Sequence, residues 1–187
     1  MTRLIRSTIA AALLIPAGPF AQALSAQVPS AQTPSAQVLG SDAAACQPGA
    51  GPAIEATITG LKDGKGDVRL ELYPATAEDF LKGDHELIAQ DKVFRRVSVA
   101  APATGRAGAV AVCIRVPRPG RYALMMIHSR DGRNKFDYKI DGAGTPSNKR
   151  IGFGKPKVEE ASIAAGAGVT PVAIRAQYMG LFGFSPH

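Results

Sequence analysis

The histidines are the first residues to consider, because catalytic and metal-binding motifs often need one and this chain has three. The segment His85-Glu86-Leu87-Ile88-Ala89 comes close to the helical zinc-protease motif, but Ala89 occupies the position of the second His, so the segment cannot hold zinc. His128 and Ser129 are neighbours on a predicted strand, where successive side chains point to opposite faces, so they cannot act directly as base and nucleophile. No Gly-x-Ser-x-Gly motif is present. These residues predict no catalytic residue, no metal and no cofactor.

Two further features have a structural and a functional interpretation. The segment 152–157, Gly-Phe-Gly-Lys-Pro-Lys, could cradle an anion, but it lacks the first Gly and the Ser or Thr of a phosphate loop. It is interpreted as a tight turn between strands, with anion binding as the alternative. His128, at the end of a strand, is interpreted as a residue that braces a loop by hydrogen bonding rather than as a catalyst.

The elements that must position these residues are short strands. Apolar residues beyond Pro52 recur with period two, which is typical of half-buried strands. The predicted strands cover residues 54–59, 68–73, 93–99, 110–116, 122–128, 158–163 and 172–178. The first two flank the turn 62–66 and are predicted to form a hairpin, and residues 76–82 are predicted to form one or two helical turns with Thr76 as N-cap. The pattern predicts an all-β fold, an antiparallel β-sandwich of about seven strands with a short helix after the second strand.

Composition agrees with one folded domain. A length of 187 residues fits one domain of ordinary size plus tails. Hydrophobic residues make up 45% and charged residues 20% of the chain, which excludes wholesale disorder. The 20 Gly and 14 Pro favour turns over long helices.

The N-terminal third predicts export. A basic start, a short apolar run and an Ala-x-Ala site make residues 1–23 a predicted signal peptide, too short to span a membrane. The mature chain is therefore expected to lack a transmembrane segment and to be periplasmic or secreted.

Residues 24–52 carry a repeat of Ser-Ala-Gln with Pro and are predicted to be a disordered, flexible linker, with a partner-docking motif as the alternative. The β-sandwich is assigned to residues 53–179 and a C-terminal tail to 180–187, which is expected to fray or to fold back.

The chain has two cysteines, Cys46 and Cys113, and an exported chain favours their pairing. Cys113 lies on the opposite face of its strand from the apolar side chains, so the disulfide is expected on the outer face of the sandwich. It would close a loop of about 67 residues, contributing on the order of 4 kcal/mol. Two unpaired thiols are the alternative. Neither cysteine is predicted to be catalytic, because no Cys-x-x-Cys motif or neighbouring base activates it.

Several segments together resemble a known family. They are residues 58–61, 66–73, 117–128, 131–137, 141–146 and 151–157. The chain resembles the bacterial exported family known only as domain of unknown function twenty-one forty-one, over about residues 54–179. The resemblance implies an exported, transthyretin-like or immunoglobulin-like sandwich with no assigned activity.

The resemblance also points to a loop. The family has a His followed by an acidic, Asn-rich and Gly-rich turn that looks like a cation site. Here Ser129 and Arg130 occupy positions that are usually acidic in the family, and further basic residues interrupt the loop. Because a hard cation needs several oxygen ligands, residues 131–137 are interpreted as a structural loop, with calcium binding as the alternative.

Charge is distributed unevenly along the chain. Residues 115–157 contain eleven Lys and Arg against three Asp, whereas residues 55–91 contain nine acids against four bases. Such a distribution predicts an electrically two-ended domain, whose charged faces are interpreted as solvated surface, with binding of an anionic envelope component or an acidic partner as the alternative. A basic loop surface is therefore the candidate binding site. It comprises His128, Arg130, Asp131, Arg133, Asn134, Lys135, Asp137, Lys149, Arg150 and Lys155.

Three hypotheses follow. The first is a non-enzymatic binding or accessory module of the cell envelope, whose partner is an unknown envelope protein or an anionic component such as lipopolysaccharide. Export argues against nucleic acid as a partner. The second is a small metal-dependent or enzymatic envelope factor centred on His128, Asp131 and Asp137. The third is a structural spacer in which the repeat segment is indispensable.

Overall fold

The structure, a computed structural model, describes residues 37–186, except the side chain of Arg106. The predicted signal peptide and the first part of the predicted linker lie outside these residues. The strands are β1 (Val38–Leu39), β2 (Ala53–Thr59), β3 (Asp67–Pro74), β4 (Arg95–Ala100), β5 (Val110–Arg115), β6 (Gly120–Ser129), β7 (Gly142–Gly144), β8 (Ser162–Ala165), β9 (Val169–Arg175), β10 (Gln177–Gly180) and β11 (Gly183–Pro186). The helices are α1 (Asp84–Ala89) and α2 (Val158–Ala161), and single 3-10 turns lie at Ala43–Cys46 and Gly105–Ala107.

The strands form two sheets. The small sheet has the order β1-β5-β2-β9, and the large sheet has the order β11-β10-β7-β6-β3-β4, with β8 paired to the first half of β6. Most neighbours are antiparallel, but β1 and β9 pair in parallel with β5 and β2. The predicted all-β sandwich is therefore confirmed. Among residues 37–186, no helix is long and apolar enough to cross a membrane.

The main core lies between the sheets and follows the alternation in the sequence. Ile54 and Ile58 of β2 and Leu70 and Leu72 of β3 are fully buried in one cluster. Each such side chain contributes roughly 1.5–3 kcal/mol relative to exposure. The period-two pattern therefore identified the inward faces correctly.

The predicted hairpin of the first two long strands is wrong. β2 pairs with β5 and β9 in the small sheet, whereas β3 pairs with β4 and β6 in the large sheet. A hairpin would place both apolar faces side by side on one sheet. The turn instead carries the chain from one sheet to the other, so the two apolar faces meet across the core.

Three predicted elements differ in detail. Residues 76–82 form a hydrogen-bonded turn in which Thr76 Oγ1 accepts from the Asp79 N–H at 3.2 Å, and the short helix follows at α1. The predicted strand 158–163 begins as α2 and continues as β8. The predicted strand 172–178 is divided between β9 and β10, because the chain changes sheets at Ala176.

Regular structure also extends beyond the predicted ends of the domain. β1 pairs with β5, and the 3-10 turn that follows β1 contains the buried Cys46. The predicted disulfide is confirmed, since Cys46 and Cys113 are bonded with their Cα atoms 6.0 Å apart. Cys113 faces outward from β5 as expected, but the segment around Cys46 covers it completely. At the other end, the predicted C-terminal tail contains β11, which pairs with β10.

Candidate functional site

The outer face of the large sheet carries the candidate site. Side chains that point away from the main core, such as Tyr73 of β3 and Met125 of β6, are nevertheless buried. They belong to a second apolar cluster that includes Leu87 of α1, Ala161 of α2 and Phe184 of β11. The segments between the strands therefore fold over this face, so the molecule has a third layer that an ideal two-sheet sandwich lacks.

A cavity of about 470 Å³ opens within this layer. It is lined by Glu71, Tyr73, Met125, Ile127 and Ala143 from the sheet, by Leu81, Lys82, Gly83, Asp84 and Arg96, by Asn134, Lys135 and Phe136 from the loop after β6, and by Ile151, Lys155, Pro156 and Phe184. We refer to it as the outer cavity. Its apolar lining includes Met125, Ile127 and Ala143, and Phe136 lies with its ring centre 6.0 Å from that of Phe184. Three of the predicted site residues line it, namely Asn134, Lys135 and Lys155.

A buried carboxylate, Glu71, lies in the lining of the outer cavity and is fully partnered. Its Oε2 accepts from the Tyr73 hydroxyl at 2.5 Å, and its Oε1 accepts from Arg96 Nε at 2.6 Å. Arg96 also donates to Asp84 at 3.1 Å and lies 5.2 Å from the centre of the Phe94 ring. Burial and the neighbouring Glu71 raise the pKa of Tyr73, so this phenol stays protonated. Both carboxylate oxygens of Glu71 therefore already accept hydrogen bonds within the fold.

The cations of the outer cavity fall into two groups. Lys82 lies about 3.5 Å from the carboxylates of Asp79 and Glu86, and these acids raise its pKa although burial acts in the opposite direction. Lys135 and Lys155 are exposed and make no ion pair within residues 37–186. The lining contains four cations against two carboxylates, an excess of two positive charges. The unpaired charges of the cavity therefore lie on Lys135 and Lys155.

The loop after β6 is held by its own carboxylates. Asp141 is buried, and its two oxygens accept from the backbone N–H groups of Arg130 and Asp137, each at 2.9 Å. Arg69, also buried, donates to the carbonyl of Arg133 at 2.8 Å. These bonds fix the loop against the sheet.

Asp131 and Asp137, the acids that calcium binding would need, also hold the loop by accepting backbone hydrogen bonds. Asp131 accepts from the backbone of Arg133 at 3.0 Å, and Asp137 accepts from the backbone of Lys139 at 2.9 Å. Within residues 37–186, no group of three or more His, Cys, Asp or Glu side chains is placed to hold a metal ion. The calcium alternative therefore receives no support from the loop geometry.

His128 is completely buried and braces the turn 62–66. Its Nε2 lies 2.8 Å from the Lys65 carbonyl and its Nδ1 lies 2.5 Å from the Tyr178 hydroxyl. A carbonyl can only accept, so Nε2 carries the proton and Nδ1 accepts from Tyr178. The Tyr178 oxygen in turn accepts from the Lys62 N–H at 2.8 Å. Burial lowers the pKa of His128, and it raises the pKa of Tyr178 to about 12, so both side chains stay neutral.

Most of the other predicted binding cations are engaged within the fold. Arg130 pairs with Asp63 and donates to the Ile140 carbonyl at 3.1 Å, and this pairing lowers the pKa of Asp63. Arg133 pairs with Asp131. Arg150 donates to the Phe182 carbonyl, while Lys149 is exposed. The structure thus separates residues that line the outer cavity from residues that shape the loops.

Sequence reasoning missed the floor of the cavity and its charged network. Glu71 and Arg96 are direct partners in the β3–β4 register, so an acid faces a base across the sheet. That signal becomes readable only once the pairing of these two strands is known. Phe184 was assigned to the C-terminal tail, although it is a buried part of the cavity lining.

The comparisons with known proteins place the chain in a family. Residues 56–173 match DUF2141, described as an uncharacterized protein conserved in bacteria. The chain belongs to this family. The expected family membership is therefore confirmed, and it brings no assigned activity. No curated protein and no solved structure matches the chain. The matched region of this DUF2141 protein includes Glu71, Lys135 and Lys155, whereas Tyr178 and Phe184 lie beyond it.

Proposed function

We propose that this DUF2141 protein is a non-enzymatic binding module of the bacterial cell envelope, and that its outer cavity holds a small molecule with an apolar body and an acidic group. The observation that carries the proposal is the combination of an apolar floor with two unpaired lysines, Lys135 and Lys155, in one cavity. Both lysines belong to the basic loop surface that the sequence identified.

The size and lining of the cavity support a small-molecule ligand. Its volume of about 470 Å³ lies within the range of roughly 300–1,000 Å³ that is usual for ligand sites. Ile127, Phe136 and Ile151 keep part of their apolar surface exposed in the lining, and contact with a ligand would remove water from that surface. An apolar ligand body therefore fits the floor.

The charges support an acidic ligand group at the lysines. Glu71 already has Arg96 and Tyr73 as partners, so the interior of the cavity offers no unpaired cation. Lys135 and Lys155 are solvated donors that can bind a carboxylate or a phosphate. Both are exposed, so salt should weaken this part of the binding.

Two observations support an envelope location. Residues 1–23 have the pattern of an export signal, and the Cys46–Cys113 disulfide is typical of an oxidising compartment. The hypothesis of a metal-dependent or enzymatic factor has no comparable support. His128, Asp131 and Asp137 are all engaged in hydrogen bonds that hold turns and loops.

Isothermal titration of the disulfide-bonded protein with decanoate tests the proposal, with uncharged decanol as the matched probe. We expect decanoate to bind more tightly than decanol. The double variant Lys135→Gln/Lys155→Gln should weaken decanoate at least about tenfold, which is about 1.4 kcal/mol. The control Lys139→Gln/Lys157→Gln removes two nearby lysines that do not line the outer cavity.

The outcome separates ligand binding from general attraction to a basic surface. Equal losses in the cavity variant and the control would mean that decanoate responds only to net charge. That result would overturn the proposal. Dodecyl phosphate serves as a second acidic probe, and a wild-type protein that binds neither decanoate nor dodecyl phosphate would overturn the proposal equally.

A further inference from the structure

Three large apolar side chains are strongly exposed on two turns at one edge of the large sheet. Phe153 is 75%, Leu181 86% and Phe182 70% exposed. We call these three residues the apolar tip. They are the most exposed large hydrophobic side chains in the part of the chain that the structure describes.

The two turns that carry the apolar tip are joined by backbone contacts. Gly152 and Phe184 exchange two backbone hydrogen bonds, of 3.0 and 2.7 Å. Gly183 has φ +86°, and a Cβ at this residue would come within 2.4 Å of the Gly152 carbonyl carbon, so only glycine permits this approach. Gly180 pairs with Gly183, which leaves Leu181 and Phe182 as the two residues of a tight turn. The two turns are therefore held against each other, with all three apolar side chains exposed.

All the charged residues in the chain segments that form the tip are basic. Residues 149–157 and 177–186 contain four bases and no acid. The four are Lys149, Arg150, Lys155 and Lys157, which we call the basic collar. Exposed apolar residues flanked by cations are typical of surfaces that bind an anionic membrane, where apolar groups enter the headgroup region and cations contact phosphates.

We propose that the apolar tip and the basic collar dock this protein onto the surface of an anionic lipid bilayer. A bilayer fits the exposed side chains, because apolar residues that project from two turns can enter a deformable surface without needing a matching pocket. It also fits the charge, because a second copy of the chain would bring its own basic collar against the first. The inference does not rest on the outer cavity, since none of the three tip residues lines it.

Vesicle cosedimentation tests the docking. Protein purified after export in a bacterial host is mixed with vesicles of phosphatidylethanolamine and phosphatidylglycerol, or of phosphatidylcholine alone, at low and high salt. We expect the wild type to sediment with the anionic vesicles at low salt and at least about tenfold less with phosphatidylcholine.

The triple variant Phe153→Ser/Leu181→Ser/Phe182→Ser should lose at least about tenfold in binding to anionic vesicles. Ile88→Ser is the control, because Ile88 is an exposed apolar residue on α1, outside the tip.

A spectroscopic test keeps the inference decidable if the triple variant folds poorly. The chain has no Trp, so Phe182→Trp introduces a single reporter. Its fluorescence should shift to shorter wavelength with anionic vesicles, whereas the reporter in Ile88→Trp should not shift.

Several results would overturn the docking proposal. They are a wild type that stays in the supernatant at low salt, equal binding of the triple variant, and a Phe182→Trp spectrum that vesicles leave unchanged. A dimer detected by light scattering and abolished in the triple variant would also overturn it, in favour of a second copy as the occupant of the tip.

Discussion

Acidification should destabilise this protein through His128. The ring is completely buried, its Nε2–H donates to Lys65, and its Nδ1 accepts from Tyr178. Burial lowers its pKa below the ordinary value of 6.5. Below pH 6.5 the unfolded chain therefore takes up a proton that the folded protein resists, so stability falls as pH falls.

The size of the effect follows from proton linkage. If the folded protein does not take up the proton, the free energy of unfolding falls by about 1.4 kcal/mol between pH 7.5 and pH 5.5. The stability that neutral, buried His128 contributes is fully present above the pKa of the unfolded state. It is lost progressively as the pH falls below that value, until the lower pKa of the folded state is reached. The value is an upper bound, because a folded pKa inside this window would reduce it.

Urea unfolding at pH 7.5, 6.5 and 5.5 measures this dependence. The variant His128→Gln should be less stable at every pH, but its stability should change less across the window. His85→Gln is the matched control, since His85 is fully exposed and should leave the wild-type dependence in place. A flat wild-type profile, or a profile that His85→Gln abolishes and His128→Gln does not, would refute the reasoning.

Two further predictions concern the scaffold. Replacing both Cys46 and Cys113 by alanine should lower the free energy of unfolding by about 2–5 kcal/mol, measured by urea titration against the oxidised wild type. Gly66 has φ +67°, and a Cβ there would lie 2.0 Å from the Ser129 carbonyl oxygen, so Gly66→Ala adds a clash to an unfavourable backbone. Gly132→Ala is the matched control, because Gly132 has φ +70° but no atom lies within 4 Å of a Cβ there. It should lower the free energy of unfolding only by the backbone component of about 1–2 kcal/mol. Equal losses of stability in the two variants would contradict the predicted clash at Gly66.

Local alternation was enough to predict which strand faces enter the main core, because burial between sheets imposes a period of two on each strand. It could not predict which strands pair. The hairpin prediction failed at the turn 62–66, where sequence proximity suggested pairing but the chain changes sheets. Strand pairing here depends on contacts between distant residues, such as β2 with β9, and these have no local signature.

Only part of the candidate site could be predicted, again because local sequence patterns do not encode contacts between distant segments. Asn134, Lys135 and Lys155 were identified from charge and the family resemblance, and all three line the outer cavity. Glu71 and Tyr73 point away from the main core by the period of β3, and such positions are exposed in a strand that is buried on one face only. They are buried because later segments fold over that face, a tertiary event that the period of β3 does not encode.

Lys155 is shared by the two proposals, because it both lines the outer cavity and belongs to the basic collar, whereas two other residues distinguish them. Lys135 lines the cavity outside the collar, and Phe182 belongs to the tip outside the cavity. If both proposals hold, Lys135→Gln weakens decanoate alone, Phe182→Ser weakens vesicle binding alone, and Lys155→Gln weakens both. Loss of both decanoate and vesicle binding in Lys135→Gln would mean that vesicles bind through the outer cavity, since this lysine lines the cavity and belongs to neither turn of the tip. Loss of both in Phe182→Ser would instead indicate that the β10–β11 turn holds Phe184 in place, because Phe184 lines the cavity two residues further along the chain.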